Sequence, residues 1–184
     1  GRQLLDWLED YTFPVERRFT DPAYARTVAD FFLDELLRNG VTTALSFATA
    51  HTASVDAFFQ EAQKRQLRML GGRVLQDRHS PDGLRDSSVQ QSLYETEELI
   101  GRWHGVDRLG YAITPRFAPT STEAQLRGAG ELAAKYPGVW IQSHVAENKD
   151  EIAWARALFP QPRSYLATYD DFGLMRKRSI YAHC

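Results

Sequence analysis

Strand-like and helix-like segments alternate along the whole chain, and this alternation constrains the fold more than any other feature. Five apolar, β-branched runs read as buried strands: VTTALSFA at 41–48, LRMLGGRVLQ at 67–76, RLGYAITPR at 108–116, VWIQSH at 139–144 and SIYAHC at 179–184. They recur on the order of 30 residues apart, with helical patterns between them. Asp21-Pro22 starts a helix, with Tyr24, Val28, Phe32 and Leu36 as its expected buried stripe and Gly40 as its cap. Further helices are expected over 53–64, 93–104, 148–159 and 165–174. Another starts at a capping box of Thr122 and Gln125 and buries Leu126, Ala129, Leu132 and Ala133. Strand–helix–strand alternation means a parallel sheet with helical crossovers, so the fold class is α/β. An open doubly wound sheet and part of an eight-stranded (β/α)8 barrel both fit. Gly71-Gly72 lies inside a strand, not in a phosphate-binding strand-to-helix turn, so it reads as a bulge or a close backbone approach.

A chain of 184 residues suffices for one domain with a sizeable core. A net charge of −2 and the lack of a basic run argue against nucleic acid or an anionic membrane as partner. No apolar run is long enough to span a bilayer. The single cysteine, Cys184, forbids an internal disulfide and fits a reducing, cytoplasmic compartment. The chain opens on Gly1-Arg2 and closes inside an apparent strand. Residues 1–184 are therefore expected to be one partial domain of a longer protein, cut at both ends.

In α/β barrels the chemistry sits where the strands end. The third strand here ends in Thr114-Pro115-Arg116-Phe117, the fourth in His144 with Glu147 just beyond, and the fifth in His183. Histidines at the ends of two successive parallel strands put two imidazoles side by side on one rim, where they can ligate one divalent metal. Glu147, past its strand end, is placed to move protons of a water activated there. Each residue also has a plainer reading. A histidine in an apolar setting is more often a hydrogen-bonded core residue. Glu147 could simply favour a helix N-terminus, and Arg116 could be a solvated loop charge. His51, His79 and His104 fall in loops or at a helix end, where the plain reading is preferred.

Six segments in order carry a more specific signal: LLDWLEDYTFPVE, FLDELLRNGVTTALSFATAH, VLQDRHSPDGLRD, TPRFAPTST, SHVAENKDEIAW and YAHC. In these the chain resembles the guanine deaminase family of the amidohydrolase superfamily. The resemblance implies a distorted eight-stranded barrel, with the five strands here as its strands 2 to 6. It implies one zinc ion, iron being the alternative. His144 would be the strand-5 ligand, and His183 either the strand-6 ligand or a group that orients the attacking hydroxide. Glu147 would be the proton shuttle, and Arg116 and Phe117 would bind the purine. The family's strand-1 HxH pair and strand-8 aspartate have no counterpart in these residues, so the chain alone is expected neither to bind zinc tightly nor to be active. The implied reaction is hydrolysis of guanine to xanthine and ammonia, with a homodimer as the usual assembly. Two rivals remain: a deaminase of another aminopurine, a pterin or an s-triazine, and a metal-free scaffold derived from the barrel.

Overall fold

The computed structural model describes residues 3–183. Short helical turns come first: α1 (Leu4–Trp7), a π turn over Leu8–Thr12, α2 (Phe13–Glu16) and a 3-10 turn over Arg17–Thr20. Then follow α3 (Pro22–Arg38), β1 (Thr43–Phe47), α4 (Thr52–Lys64), β2 (Arg68–Gly72) and β3 (Val74–Leu75). The remainder is α5 (Val89–Trp103), β4 (Gly110–Pro115), α6 (Glu123–Lys135), β5 (Trp140–Val145), α7 (Lys149–Leu158), α8 (Tyr165–Asp171) and β6 (Ser179–His183). Cys184, the last residue of the expected fifth strand, lies outside the described residues.

Every strand pair is parallel, in the order β1-β2-β4-β5-β6, with β3 beside β4. One side chain reveals the curvature. In a flat sheet β1 and β5 would stand three strand spacings apart, about 14 Å. Gln142 of β5 nevertheless donates to the Ser46 carbonyl of β1 at 3.0 Å and to Thr114 Oγ1 of β4 at 3.0 Å. The sheet therefore curls on itself as a barrel wall does, and the open doubly wound alternative is excluded.

The main core lies between this wall and the helices. Phe59, Met69, Leu75, Tyr111, Ile113, Leu126 and Ile141 are all at most 1% exposed. Fully burying an apolar side chain of this size contributes about 1.5–3 kcal/mol. A smaller cluster of Leu8, Phe13, Leu84 and Phe117 pins the N-terminal helical turns over the ends of the strands.

Most expected elements are present within a few residues, and the departures have physical causes. The buried stripe of α3 is Ala25, Ala29 and Leu33, one position on from the expected one, and Phe32 is 39% exposed. Two alanines let α3 lie close against α4, so the helix turns its small side inward and its large side out. The second strand is broken at Arg73, whose amide donates to the Tyr111 hydroxyl instead of joining a ladder. Its guanidinium is buried on the Ala50 and Ser92 carbonyls and on Asp86. A Cβ on Gly72 would meet the Ala112 carbonyl oxygen at 1.9 Å, so this glycine is a close backbone approach. Helix α5 starts at Val89, ahead of the expected start, because Ser88 accepts from the Gln91 amide and caps it. Thr122 caps α6, but Gln125 does not complete the box: its amide goes to Asp86 and Ser92. In α7 Ile152 is 39% exposed, while Glu151 is fully buried.

Candidate active site

His144 is held by one carbonyl. Its backbone amide donates to Arg116 O at 3.2 Å, and its ring Nδ1 lies 2.7 Å from the same oxygen. A carbonyl only accepts, so Nδ1 carries the proton and the Nε2 lone pair is left for a ligand. This arrangement orients metal-binding imidazoles and raises their basicity. Burial pushes the His144 pKa down, against the raising effect of the Arg116 carbonyl, and keeps the ring neutral. The ring packs 4.2 Å from Phe47 and stacks 5.7 Å from His183 at an interplanar angle of 16°. In register, His144 faces Ala182 and Val145 faces His183, so the two imidazoles occupy adjoining strand ends. His183 has a φ of +85° and its side chain is 46% exposed.

Glu147 sits where β5 turns into α7. Its Oε2 lies 3.3 Å from His183 Nε2. The turn passes through Ala146 at φ +58°, a left-handed conformation costly for a residue with a Cβ. Buried groups hold it there. One oxygen of Glu151 accepts from the amides of Glu147 (2.9 Å) and Asn148 (3.1 Å), and the other accepts from the Tyr165 hydroxyl at 2.6 Å. Tyr169 donates to the His144 carbonyl at 2.7 Å and accepts from the Ala118 amide at 2.9 Å. Burial raises the Tyr169 phenol above its ordinary range, so it remains a donor.

Arg116 comes from the end of β4 and makes a bidentate pair with Glu16 of α2, Nη1 to Oε2 and Nη2 to Oε1, both 2.9 Å. The Phe13 ring lies 5.1 Å from the guanidinium carbon. Phe117 is 4% exposed and packs edge-on against Trp154 at 6.0 Å. All five residues singled out in the sequence line one pocket of about 360 Å³, together with Trp7, Glu16 and Phe47. Those three were missed by sequence reading. Glu16 and Trp7 lie in the LLDWLEDYTFPVE segment, whose resemblance flagged the region without assigning a role. His51, His79 and His104 stay out of the pocket lining. His104 accepts from the Tyr111 amide at 3.2 Å, and His79 Nδ1 lies 2.8 Å from the Pro119 carbonyl, so these two have structural partners.

Chemically, the pocket offers two adjacent imidazoles, a carboxylate at hydrogen-bonding range and an arginine–carboxylate pair, over aromatic walls. The donor set fits part of a zinc shell, since a zinc ion takes four ligands, or three and a water. Among the described residues no group of three or more His, Cys, Asp or Glu could hold a metal ion. No described helix is long and apolar enough to cross a membrane.

Comparison with known proteins gives the family. The amidohydrolase family model matches residues 1–184, and the chain belongs to that family. It is 50% identical to guanine deaminase of Escherichia coli (strain K12) over all of its length, covering 42% of that relative. The solved structure of the E. coli enzyme superposes with a TM-score of 0.98. Guanine deaminase of Homo sapiens is 32% identical, with 98% of this chain matching 40% of that one. A guanine deaminase from C. acetobutylicum, solved with guanine bound in its active site, is 35% identical, with a TM-score of 0.96. It is covered over 44% of its length by all of this chain. The chain thus spans about two fifths of the length of these relatives.

Proposed function

We propose that this chain is the strand-2 to strand-6 part of a longer guanine aminohydrolase, truncated at both ends, and that the whole protein converts guanine and water to xanthine and ammonia. The observation that carries the reading is the convergence of His144, Glu147, His183 and Arg116 on one pocket. The 50% identity to a guanine deaminase supports the substrate. His144, through Nε2, and His183 would hold the metal, zinc by the preference of imidazole donors. When bound, the metal supplies Lewis-acid chemistry that makes water a competent nucleophile near neutral pH.

The chain's own residues do the rest. Glu147 takes a proton from the attacking water and delivers it to the ring nitrogen beside C2, which makes that carbon electrophilic. The new C–O bond forms at C2. The remaining hydroxyl proton then passes through Glu147 to the 2-amino group, the C–N bond breaks, ammonia leaves, and the C2 carbonyl of xanthine forms. Glu147 lies 3.3 Å from His183 Nε2, a contact that would hold the carboxylate toward the reacting edge. Arg116 binds the 6-oxo side and Phe117 backs the aromatic wall. Turnover of guanine by the full-length protein tests this, with ammeline and adenine as competing substrates. Faster turnover of an s-triazine such as ammeline would replace guanine by the rival substrate class. A homodimer and a cytoplasmic location rest on the family resemblance, and sedimentation of the full-length protein tests the former.

A further inference from the structure

Arg116 is the one described group in the pocket with a fork of donors for a ring, and two of its donors are already taken. Glu16 engages it end-on, one hydrogen from each Nη, at 2.9 Å and 2.9 Å. Gln76 Oε1 stands 3.5 Å from Nη1 on its other side. A guanidinium has five N–H groups, so among the described residues the Nε–H and the outer Nη2–H remain as a second, parallel fork. Two parallel N–H donors match two adjacent acceptors. In a 6-oxopurine the O6/N7 edge has that pattern, whereas a 6-aminopurine presents a donor beside N7.

The pair is better read as positioning than as stability. Glu16 and Arg116 are 100 residues apart in sequence, and their side chains are only 14% and 10% exposed. A buried ion pair is weak evidence of net stabilisation, because desolvation offsets its attraction. What it does reliably is fix the plane of the guanidinium and choose which fork is free.

We propose that Glu16 is a specificity-determining positioning residue: it tethers Arg116 end-on, so that the Nε/Nη2 fork reads the O6/N7 edge of a 6-oxopurine. The proposal rests on the guanine reading above and adds to it the residue that sets selection between keto and amino purines. Glu16 itself need not touch the base.

The test compares guanine with 2,6-diaminopurine, which has the same 2-amino leaving group and an amino group in place of the 6-oxo. In the metal-loaded full-length protein, E16A should lower the guanine-to-diaminopurine ratio of kcat/KM on the order of 10–100-fold, chiefly through KM for guanine. E16Q, which keeps one acceptor oxygen, should recover part of that ratio and covers the case in which E16A does not fold. In an R116A background, E16A should change the ratio by less than about threefold, because the two act as one unit. Equal losses on both substrates would overturn the proposal and make Glu16 a mere anchor of the N-terminal helical turns. Additive losses in the double variant would overturn it too. A wild-type protein that leaves guanine unchanged would overturn the guanine reading and this inference with it, an outcome distinct from active protein with an unaltered ratio.

Discussion

The Arg116 carbonyl accepts two hydrogen bonds from His144, and its side chain donates two to Glu16, so one strand end organises both halves of the pocket. At this scale Glu147 carries the sharpest expectation. E147Q should lower kcat of the full-length protein by about 10²–10⁴-fold, the worth of a general acid–base group, with bound metal unchanged. Y169F removes the donor to the His144 carbonyl and the acceptor of the Ala118 amide. It should cost about 1–3 kcal/mol in urea denaturation. His144, His183 and Glu147 were legible in the sequence because each sits at or just past the end of an apolar run. Glu16 was not, because its partner lies 100 residues away and a glutamate in a short helical turn has no periodic signature. Phe47 was read only as strand, and its place against the His144 ring follows from the curl of the sheet.

The turn from β5 into α7 joins element to chemistry. Glu151 completes a capping box with Asn148 and also binds Glu147 and Tyr165. E151A should cost on the order of 2–4 kcal/mol, since it removes a cap and leaves buried donors unpaired. A Cβ on Gly130 would meet the Phe172 carbonyl oxygen at 1.9 Å. G130A should therefore force α6 away from the end of α8 and destabilise by about 1–3 kcal/mol, read from the same denaturation curves. Helix α4 gives a pH dependence. The hydrogen bond from Lys64 holds the Glu61 pKa below its ordinary 4.5, with Arg65 assisting and burial opposing. Its folded value lies below its unfolded one, so this stabilisation is present above pH 4.5 and is lost as pH falls through the folded value. The stability gap between wild type and E61Q should accordingly shrink toward acid. Helix existence and the face of α6 were legible from 3.6-residue spacing. The face of α3 was not, because close packing on α4 selected small residues over large ones.

The whole molecule is a curled parallel wall with its chemistry on one rim. Periodicity alone could not choose between a flat sheet and a barrel, because both need strands buried on two faces. The Gln142–Ser46 contact decides it, and that contact joins residues 96 apart. With two imidazoles as the metal-binding pair, the 184-residue chain by itself should bind zinc more weakly than about 1 µM, or less than about 8 kcal/mol, by competition titration. Nanomolar binding would mean that the described residues hold a complete site.

The most direct test of the account is the product analysis of guanine incubated with the metal-loaded full-length protein and its E147Q variant. The expected result is stoichiometric xanthine and ammonia from the wild type, with the rate of E147Q about 10²–10⁴-fold lower at equal metal content. Absence of xanthine, or near-wild-type turnover by E147Q, would contradict it.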